Sequence, residues 1–177
     1  MNVSKPPPPD RRPIIAVIGT SSADQPTISV AEEVGQAIGT RGWHLLCGGG
    51  AGVMEAACRG FVKARPKRGG MTIGILPTDE MSFANPFVEI PIPTGLGWAR
   101  NTIIARAAWA LIAVGGCSGT LSEIAFAWQM DRPIAAMTHA GGWAGKLAGK
   151  TVDDRRTEAI FAAKTVEEAI VYIKSKI

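Results

Sequence analysis

Two continuous apolar runs and one mostly apolar run in this chain each end at a glycine-rich turn, and a helical pattern follows each turn. The runs cover residues 14–18, 43–47 and 109–114. Runs that are apolar throughout are typical of parallel strands buried on both faces of a sheet. Because strand and helix patterns alternate over the 177 residues, we predict a single-domain, Rossmann-like α/β fold with a doubly wound, mostly parallel sheet flanked by helices.

The same patterns divide the chain into elements. Strands are predicted at residues 14–18, 43–47, 72–76, 87–92, 109–114 and 133–137, and helices at residues 28–39, 53–64 and 121–130. A further helix carries Arg100, and a capping box at residues 165–168 opens a terminal helix. Residues 139–150 form either a mobile segment or a short helix. A single Rossmann-like domain therefore spans residues 14–177, after a disordered, proline-rich tail at residues 1–13 whose alternative role is a docking ligand for a proline-binding module.

The three glycine-rich turns contain candidate ligand-binding residues. Carboxyl ends of parallel strands meet at one edge of a sheet, so we expect these turns to converge. A glycine turn that leads into a helix leaves backbone N–H groups free beside the positive end of the helix dipole, which suits a phosphate. Alternatively, the glycines only permit sharp turns and close packing. Asp24, after the first turn, either contacts a ligand or caps a turn. The candidates are Gly19, Thr20, Ser21, Ser22, Gly48, Gly49, Gly50, Gly52, Gly115, Gly116, Cys117, Ser118, Gly119 and Thr120.

Two ionisable residues flank the apolar run at residues 109–114. Arg100 falls within an apolar stripe on a helical wheel, so it is either held in a cleft with a partner or extends to the surface at a helix start. Glu123 closes a Thr-x-x-Glu pattern that begins at Thr120, and this pattern is also a capping box. The spacing alone leaves Glu123 as either a helix cap or a functional carboxylate. The stripe comprises Leu96, Ile103, Ile104 and Ala107.

Composition argues against several classes of protein. A formal net charge of +4 without a dense basic stripe argues against nucleic-acid binding. The cysteines and histidines have no metal-ligand spacing, so we expect no metal site, reduced thiols, and Cys47 and Cys117 as small buried packing residues. No apolar stretch reaches the roughly 18–20 residues of a membrane span, and the N-terminus lacks a signal peptide. These features favour a cytoplasmic protein that binds a small molecule.

The segment around the third turn resembles a known family. Residues 115–123, Gly-Gly-Cys-Ser-Gly-Thr-Leu-Ser-Glu, are similar to the P-G-G-x-G-T-x-x-E motif of the LOG ("Lonely Guy") family of nucleoside 5′-monophosphate phosphoribohydrolases. The resemblance implies that Arg100 and Glu123 occupy the positions of that family's catalytic arginine and glutamate. More of the chain, from Pro13 to Thr138, resembles the sister branch that includes the molybdenum cofactor carrier proteins. The stretches concerned are residues 17–22, 47–57, 73–77, 85–86 and 92–97.

Three positions differ from the LOG pattern and favour binding over turnover. Gly115 replaces a proline, Cys117 replaces a glycine, and Asn101 replaces the lysine that follows the arginine. The resemblance thus implies a carrier-like binding protein for a phosphate-bearing small molecule, either molybdenum cofactor or an AMP-like nucleotide, with no required cofactor. The alternative is a phosphoribohydrolase that releases base and ribose 5-phosphate, in which Glu123 stabilises the sugar cation or activates water and Arg100 orients it. Both related groups assemble, so the resemblance also implies a homodimer or larger oligomer.

Overall fold

Seven parallel strands form one sheet at the centre of the molecule. The strands are β1 (Ile14–Gly19), β2 (His44–Cys47), β3 (Thr72–Leu76), β4 (Ile90–Pro93), β5 (Ala110–Val114), β6 (Ile134–Met137) and β7 (Phe161–Ala163). A computed structural model describes residues 11–177, so the disorder expected for residues 1–10 lies outside the described residues. The sheet order is β4-β3-β2-β1-β5-β6-β7, and every neighbouring pair is parallel. The predicted fold class is confirmed.

Helices cover both faces of this sheet. They are α1 (Gln25–Thr40), α2 (Val53–Ala64), α3 (Asn101–Ala107), α4 (Ser118–Gln129), α5 (Gly142–Leu147) and α6 (Val166–Lys176). The core under α1, α2 and α6 takes Ile15 and Val17 from β1, whereas the core under α3, α4 and α5 takes Ala16 and Ile18. Alternate residues of β1 enter different cores, which explains why the strand is apolar at every position. Within residues 11–177, no helix combines the length and apolar character that crossing a membrane requires.

Local turns delay the start of β4 and of the helix predicted around Arg100. β4 begins only at Ile90, since Asn85 accepts a hydrogen bond from the Val88 N–H at its carbonyl oxygen (3.1 Å) and one from the Phe87 N–H at Oδ1 (3.1 Å). Leu96 lies outside any helix, because the flanking glycines 95 and 97 have positive φ angles. A short 3-10 helix, Gly97–Arg100, then leads into α3. The apolar stripe predicted for one continuous helix therefore loses its first member.

The structure decides between two pairs of alternatives that the sequence left open, and it contains one strand that was not predicted. Asp24 caps α1, because its Oδ1 accepts a hydrogen bond from the Thr27 N–H at 3.0 Å. Residues 139–150 contain the short helix α5 rather than a wholly irregular segment. β7 was not predicted, because it has only three residues and lies at the edge of the sheet, where it pairs with β6 alone.

The direction of winding changes at β1. The chain adds β2, β3 and β4 on one side of β1, and then returns to place β5, β6 and β7 on the other side. Ligand sites in open α/β sheets lie beyond the carboxyl ends of the strands at such a switch point. The turns after β2, β1 and β5 follow three adjacent strands, so they meet at that edge as predicted.

Helices α1 and α2 are in close contact at glycines of both helices. A Cβ atom at Gly35 would overlap the carbonyl oxygen of Ala57 on α2, and a Cβ atom at Gly60 would overlap the carbonyl oxygen of Glu32 on α1. Both obstacles are backbone atoms, so a side-chain rotation cannot relieve either overlap. This contact fixes the position of α2, whose first turn follows the Gly48–Gly52 turn.

We expect Gly35→Ala to lower the free energy of unfolding by about 1–3 kcal/mol, because overpacking separates α1 from α2. The free energy of unfolding should decrease even though alanine is a better helix former than glycine by about 1 kcal/mol. Urea denaturation measures the change. Gln36→Ala, at the exposed neighbouring position, is the matched control and should stay within about 0.5 kcal/mol of wild type. A Gly35→Ala protein more stable than wild type would contradict this packing account.

Candidate functional site

A cavity of about 820 Å³ opens at the carboxyl edge of the sheet over β2, β1 and β5. Its volume falls within the roughly 300–1,000 Å³ of small-molecule sites. All three predicted turns contribute to its wall, and Arg100 and Glu123 lie in it together. The predicted residues that line the cavity are Gly19, Thr20, Ser21, Ser22, Gly48, Gly50, Cys117, Ser118, Gly119, Thr120, Arg100 and Glu123.

The other four predicted glycines do not line the cavity, but they determine the backbone conformation of the turns. They are Gly49, Gly52, Gly115 and Gly116, and all have positive φ angles. The need for a residue without a side chain is clearest at Gly52, where a Cβ atom would lie 2.5 Å from the Thr20 carbonyl oxygen and 2.6 Å from the Ser21 carbonyl oxygen. Gly52 therefore lets the turn after β2 approach the turn after β1.

The first turn of α4 presents free backbone donors to the cavity. Cys117 is the N-cap residue, and its side chain makes no capping hydrogen bond. Within the described chain, the N–H groups of Ser118, Gly119 and Thr120 have no acceptor, whereas the next N–H, that of Leu121, donates to the Cys117 carbonyl oxygen at 3.0 Å. A Cβ atom at Gly119 would meet nothing closer than 3.9 Å. This helix end therefore has both the donors and the space that an anion requires.

Glu123 is not a helix cap, so the capping alternative is wrong. Because α4 already begins at Ser118, both Thr120 and Glu123 lie inside the helix. The Glu123 side chain lines the cavity, and its Oε1 lies 3.9 Å from Nη1 of Arg100. The capping box predicted at residues 165–168 does form a helix cap, since Thr165 Oγ1 accepts a hydrogen bond from the Glu168 N–H at 3.2 Å.

Arg100 is buried and incompletely paired. It is only 7% exposed, so the alternative in which it extends to the surface is wrong. Its Nη1 donates to Oδ1 of Asn101 at 2.9 Å, while its Nε has no hydrogen-bond partner among residues 11–177. A Cβ atom at Gly48 would lie 2.7 Å from Nη2 of Arg100, so glycine at that position makes room for the guanidinium group. That Nε is also shielded from solvent, so the guanidinium group meets the cavity through its other atoms, and its positive charge suits an anionic ligand.

Burial governs the charges of this pair. It raises the pKa of Glu123 to about 8, and the nearby guanidinium group of Arg100 only partly opposes that effect. Burial also lowers the pKa of Arg100, with Glu123 acting in the opposite direction. An arginine remains cationic at neutral pH despite such a shift. The neutral form of Glu123 therefore predominates at pH 7, and the pair carries a net positive charge.

Several cavity residues were not among the predicted site residues. Asn101, noted in the sequence only as a difference from the LOG pattern, joins two helices: its Nδ2 donates to the Gly119 carbonyl oxygen at 3.3 Å and to Ser122 Oγ at 2.8 Å. Trp98 lines the cavity although it is 80% exposed, and Phe83 lines it from the segment after β3. In the sequence, the one indication of these two positions is that each is an isolated aromatic residue in a polar or glycine-rich segment.

The cysteines are distributed differently from the prediction. Cys47 is buried as expected, and its Sγ lies 3.6 Å from that of Cys58, which is also buried. Cys117, in contrast, is exposed and lines the cavity. Its interpretation as a buried packing residue is wrong, because it stands at the N-cap of α4, where the chain leaves the sheet. Among the described residues, no group of three or more potential metal ligands is present.

Comparisons with known proteins agree with this architecture. A cytokinin riboside 5′-monophosphate phosphoribohydrolase of Mycobacterium tuberculosis is 32% identical over 130 residues, which cover 68% of this chain and 67% of the relative. The structure of the molybdenum cofactor binding protein of Rippkaea orientalis superimposes with a TM-score of 0.82 at 36% identity, covering 94% of this chain and 98% of that one. The molybdenum cofactor carrier protein of Chlamydomonas reinhardtii gives a TM-score of 0.77 at 34% identity, covering 93% and 98%.

The family assignment rests on nearly the whole chain. A family model described as the SLOG cluster4 family matches residues 12–170, which include all seven strands and every wall of the cavity. The two similar solved structures also cover almost the full chain and share its sheet. The protein is thus a member of the LOG-like SLOG cluster4 family.

Proposed function

We propose that this protein is a carrier-like binding protein for a phosphate-bearing small molecule, which it holds without turnover. One observation carries the proposal: the free N–H groups at the start of α4 and the buried, incompletely paired Arg100 face the same cavity. The phosphate accepts hydrogen bonds from the Gly119 and Thr120 N–H groups. Arg100, which remains charged while Glu123 is neutral, provides the cation.

Molybdenum cofactor and an AMP-like nucleotide are the two ligands we propose. Both combine a phosphate with a planar heterocycle, and a cavity of about 820 Å³ accommodates either. Similarity to proteins described as a molybdenum cofactor binding protein and a carrier protein supports the first. Trp98 and Phe83 offer apolar rings at the cavity for stacking on the heterocycle.

The environment of Asn101 supports binding over turnover. Its amide accepts a hydrogen bond from Arg100 and donates to Gly119 and Ser122, so it positions the arginine relative to α4. A lysine has no acceptor and could not receive the hydrogen bond from Arg100. The lysine of the LOG pattern would supply a second cation instead. Its replacement by Asn101 therefore leaves Arg100 as the one cationic side chain that lines the cavity within the described chain.

Hydrolysis of a nucleoside 5′-monophosphate is the second candidate function. The observation that favours it is Glu123, which is buried beside Arg100 and has no capping role. In this mechanism the carboxylate stabilises the sugar cation or activates water, so it acts in its charged form. Since burial raises the pKa of Glu123 to about 8, kcat/KM would rise with pH toward that value.

One experiment separates the two functions. The purified protein is incubated with AMP and related monophosphates, free base is measured by chromatography, and binding is measured by calorimetry. Binding without release of base supports the carrier function. Release of base that falls by about 100-fold or more in Glu123→Gln supports the hydrolase. Mass spectrometry of ligand that co-purifies with the protein identifies the natural molecule in either case.

We expect Gly119→Val to abolish binding of AMP while the protein remains folded. The new side chain meets no atom closer than 3.9 Å at its Cβ, but it covers the N–H groups that contact the phosphate. Calorimetry and a thermal melt measure the two effects. Gly119→Ala, which adds only one methyl group, should show a smaller loss of affinity. Unchanged affinity in Gly119→Val would place the phosphate elsewhere.

We expect Trp98→Ala to weaken binding of AMP by about 1–3 kcal/mol, the range measured for stacking of a base on an aromatic side chain. Binding of ribose 5-phosphate, which has no base, should change little. Trp98→Phe retains a ring and serves as the conservative control. Equal losses for AMP and ribose 5-phosphate would argue against stacking.

We expect Glu123→Gln to stabilise the ligand-free protein increasingly as pH rises from 5 to 8. Between the ordinary pKa of 4.5 and the raised pKa of about 8, the folded state keeps a proton that the unfolded state loses. The stability of wild type therefore falls across this window, by at most about 1.4 kcal/mol per pH unit. Thermal melts at several pH values measure the difference, and Glu33→Gln, at an exposed position on α1, is the control. A difference independent of pH would show that Glu123 is ionised throughout.

A further inference from the structure

The three cysteines of this chain differ sharply in access. Cys47 and Cys58 are fully buried in the core beneath α1 and α2. Cys117 is exposed, stands at the N-cap of α4, and contributes to the cavity wall. It also occupies a position where the LOG pattern has glycine. A reagent that enters the cavity of the folded protein therefore meets one thiol and not the other two.

The surroundings of Cys117 independently indicate a ligand. Arg100, more than nine-tenths buried, lines the same cavity, and within residues 11–177 its Nη2 makes no hydrogen bond and is not shielded from solvent. The adjacent Ser118 and Gly119 N–H groups also lack acceptors within residues 11–177. In the described part of the chain, Glu123 carries the one carboxyl group among the lining residues, and burial keeps it largely neutral at pH 7. The thiol therefore lies in a positively charged site.

We propose that Cys117 is a thiol-modification site through which anionic disulfides of the glutathione type close the ligand cavity. The competition with ligand rests on the proposed binding function, whereas the modification itself does not. Carboxylates of the reagent are attracted to Arg100 and to the start of α4, and this attraction brings the disulfide bond to the Cys117 Sγ. The attached tripeptide then occupies the space at Gly119 that the phosphate requires.

The chemistry is a thiol–disulfide exchange, and its atoms and electrons balance. The Cys117 thiolate attacks one sulfur of the reagent, a new S–S bond forms, and the original S–S bond breaks. The departing half leaves as a thiolate and takes up the proton that Cys117 has released. The reagent is the oxidant, and one free thiol is produced for each protein thiol consumed. Excess thiol reverses the reaction.

The modification is tested with three small disulfides that differ in charge. Oxidised glutathione is anionic, 2-hydroxyethyl disulfide is neutral, and cystamine is cationic. We expect intact-protein mass spectrometry to show one adduct per folded chain, peptide mapping to locate it at Cys117, and the rate to decrease in the order given. Cys117→Ser should form no adduct. An adduct at Cys47 or Cys58, or a rate independent of reagent charge, would overturn the proposal.

The effect on the ligand site is tested with wild-type protein, so that no substitution alters the cavity. AMP affinity is measured before modification by oxidised glutathione, after it, and again after reduction with excess dithiothreitol. We expect affinity to fall at least about tenfold and to return on reduction. Saturating AMP should also slow the formation of the adduct. Unchanged affinity of the adduct would overturn closure of the cavity. If the unmodified protein does not bind AMP at all, the proposed nucleotide ligand fails, but the charge-dependent rates still decide whether Cys117 is the modification site.

Discussion

Burial of the sheet on both faces is the constraint on which the rest of this structure depends. Each central strand contributes alternate residues to two separate cores, one under α1, α2 and α6 and the other under α3, α4 and α5. Polar chemistry is therefore excluded from the strands themselves and confined to the edges where they end. The winding reverses at β1, so three consecutive neighbours, β2, β1 and β5, end at the same point. The cavity is a direct consequence of that topology.

The Arg100–Glu123 pair shows how the fold adjusts charge within this cavity. The two side chains are nearly as buried as the core, yet their closest N–O distance is 3.9 Å, which is long for an ion pair. Desolvation therefore exceeds their mutual attraction, and each group shifts toward its neutral form. Only arginine remains charged at neutral pH after such a shift. An anionic ligand thus enters a site with one uncompensated cation, and this bias toward anions serves a carrier and a hydrolase equally well.

Two copies of the same sequence pattern illustrate the limit of local inference. Thr165 and Glu168 form a cap at the start of α6, where Glu168 also accepts a hydrogen bond from the Lys164 N–H at 2.7 Å. Thr120 and Glu123 have identical spacing but lie within α4. The difference arises because Gly115 and Gly116 turn the chain at the end of β5, so that the helix begins earlier, at Ser118. Spacing alone could not distinguish a cap from a residue that faces a cavity.

The sequence by itself determined the fold class and the convergence of three glycine turns, and its resemblance to the LOG motif indicated Arg100 and Glu123 as candidates. Apolar runs and glycines carry the first two features, because strand burial and turn geometry depend on local residue types. Tertiary structure alone decided that Arg100 is buried, that Cys117 is exposed, and that Trp98 reaches the cavity. Those properties depend on which distant segment packs against each side chain. For Arg100 that segment is Gly48, at the end of a different strand, where the absence of a Cβ atom leaves room for the guanidinium group.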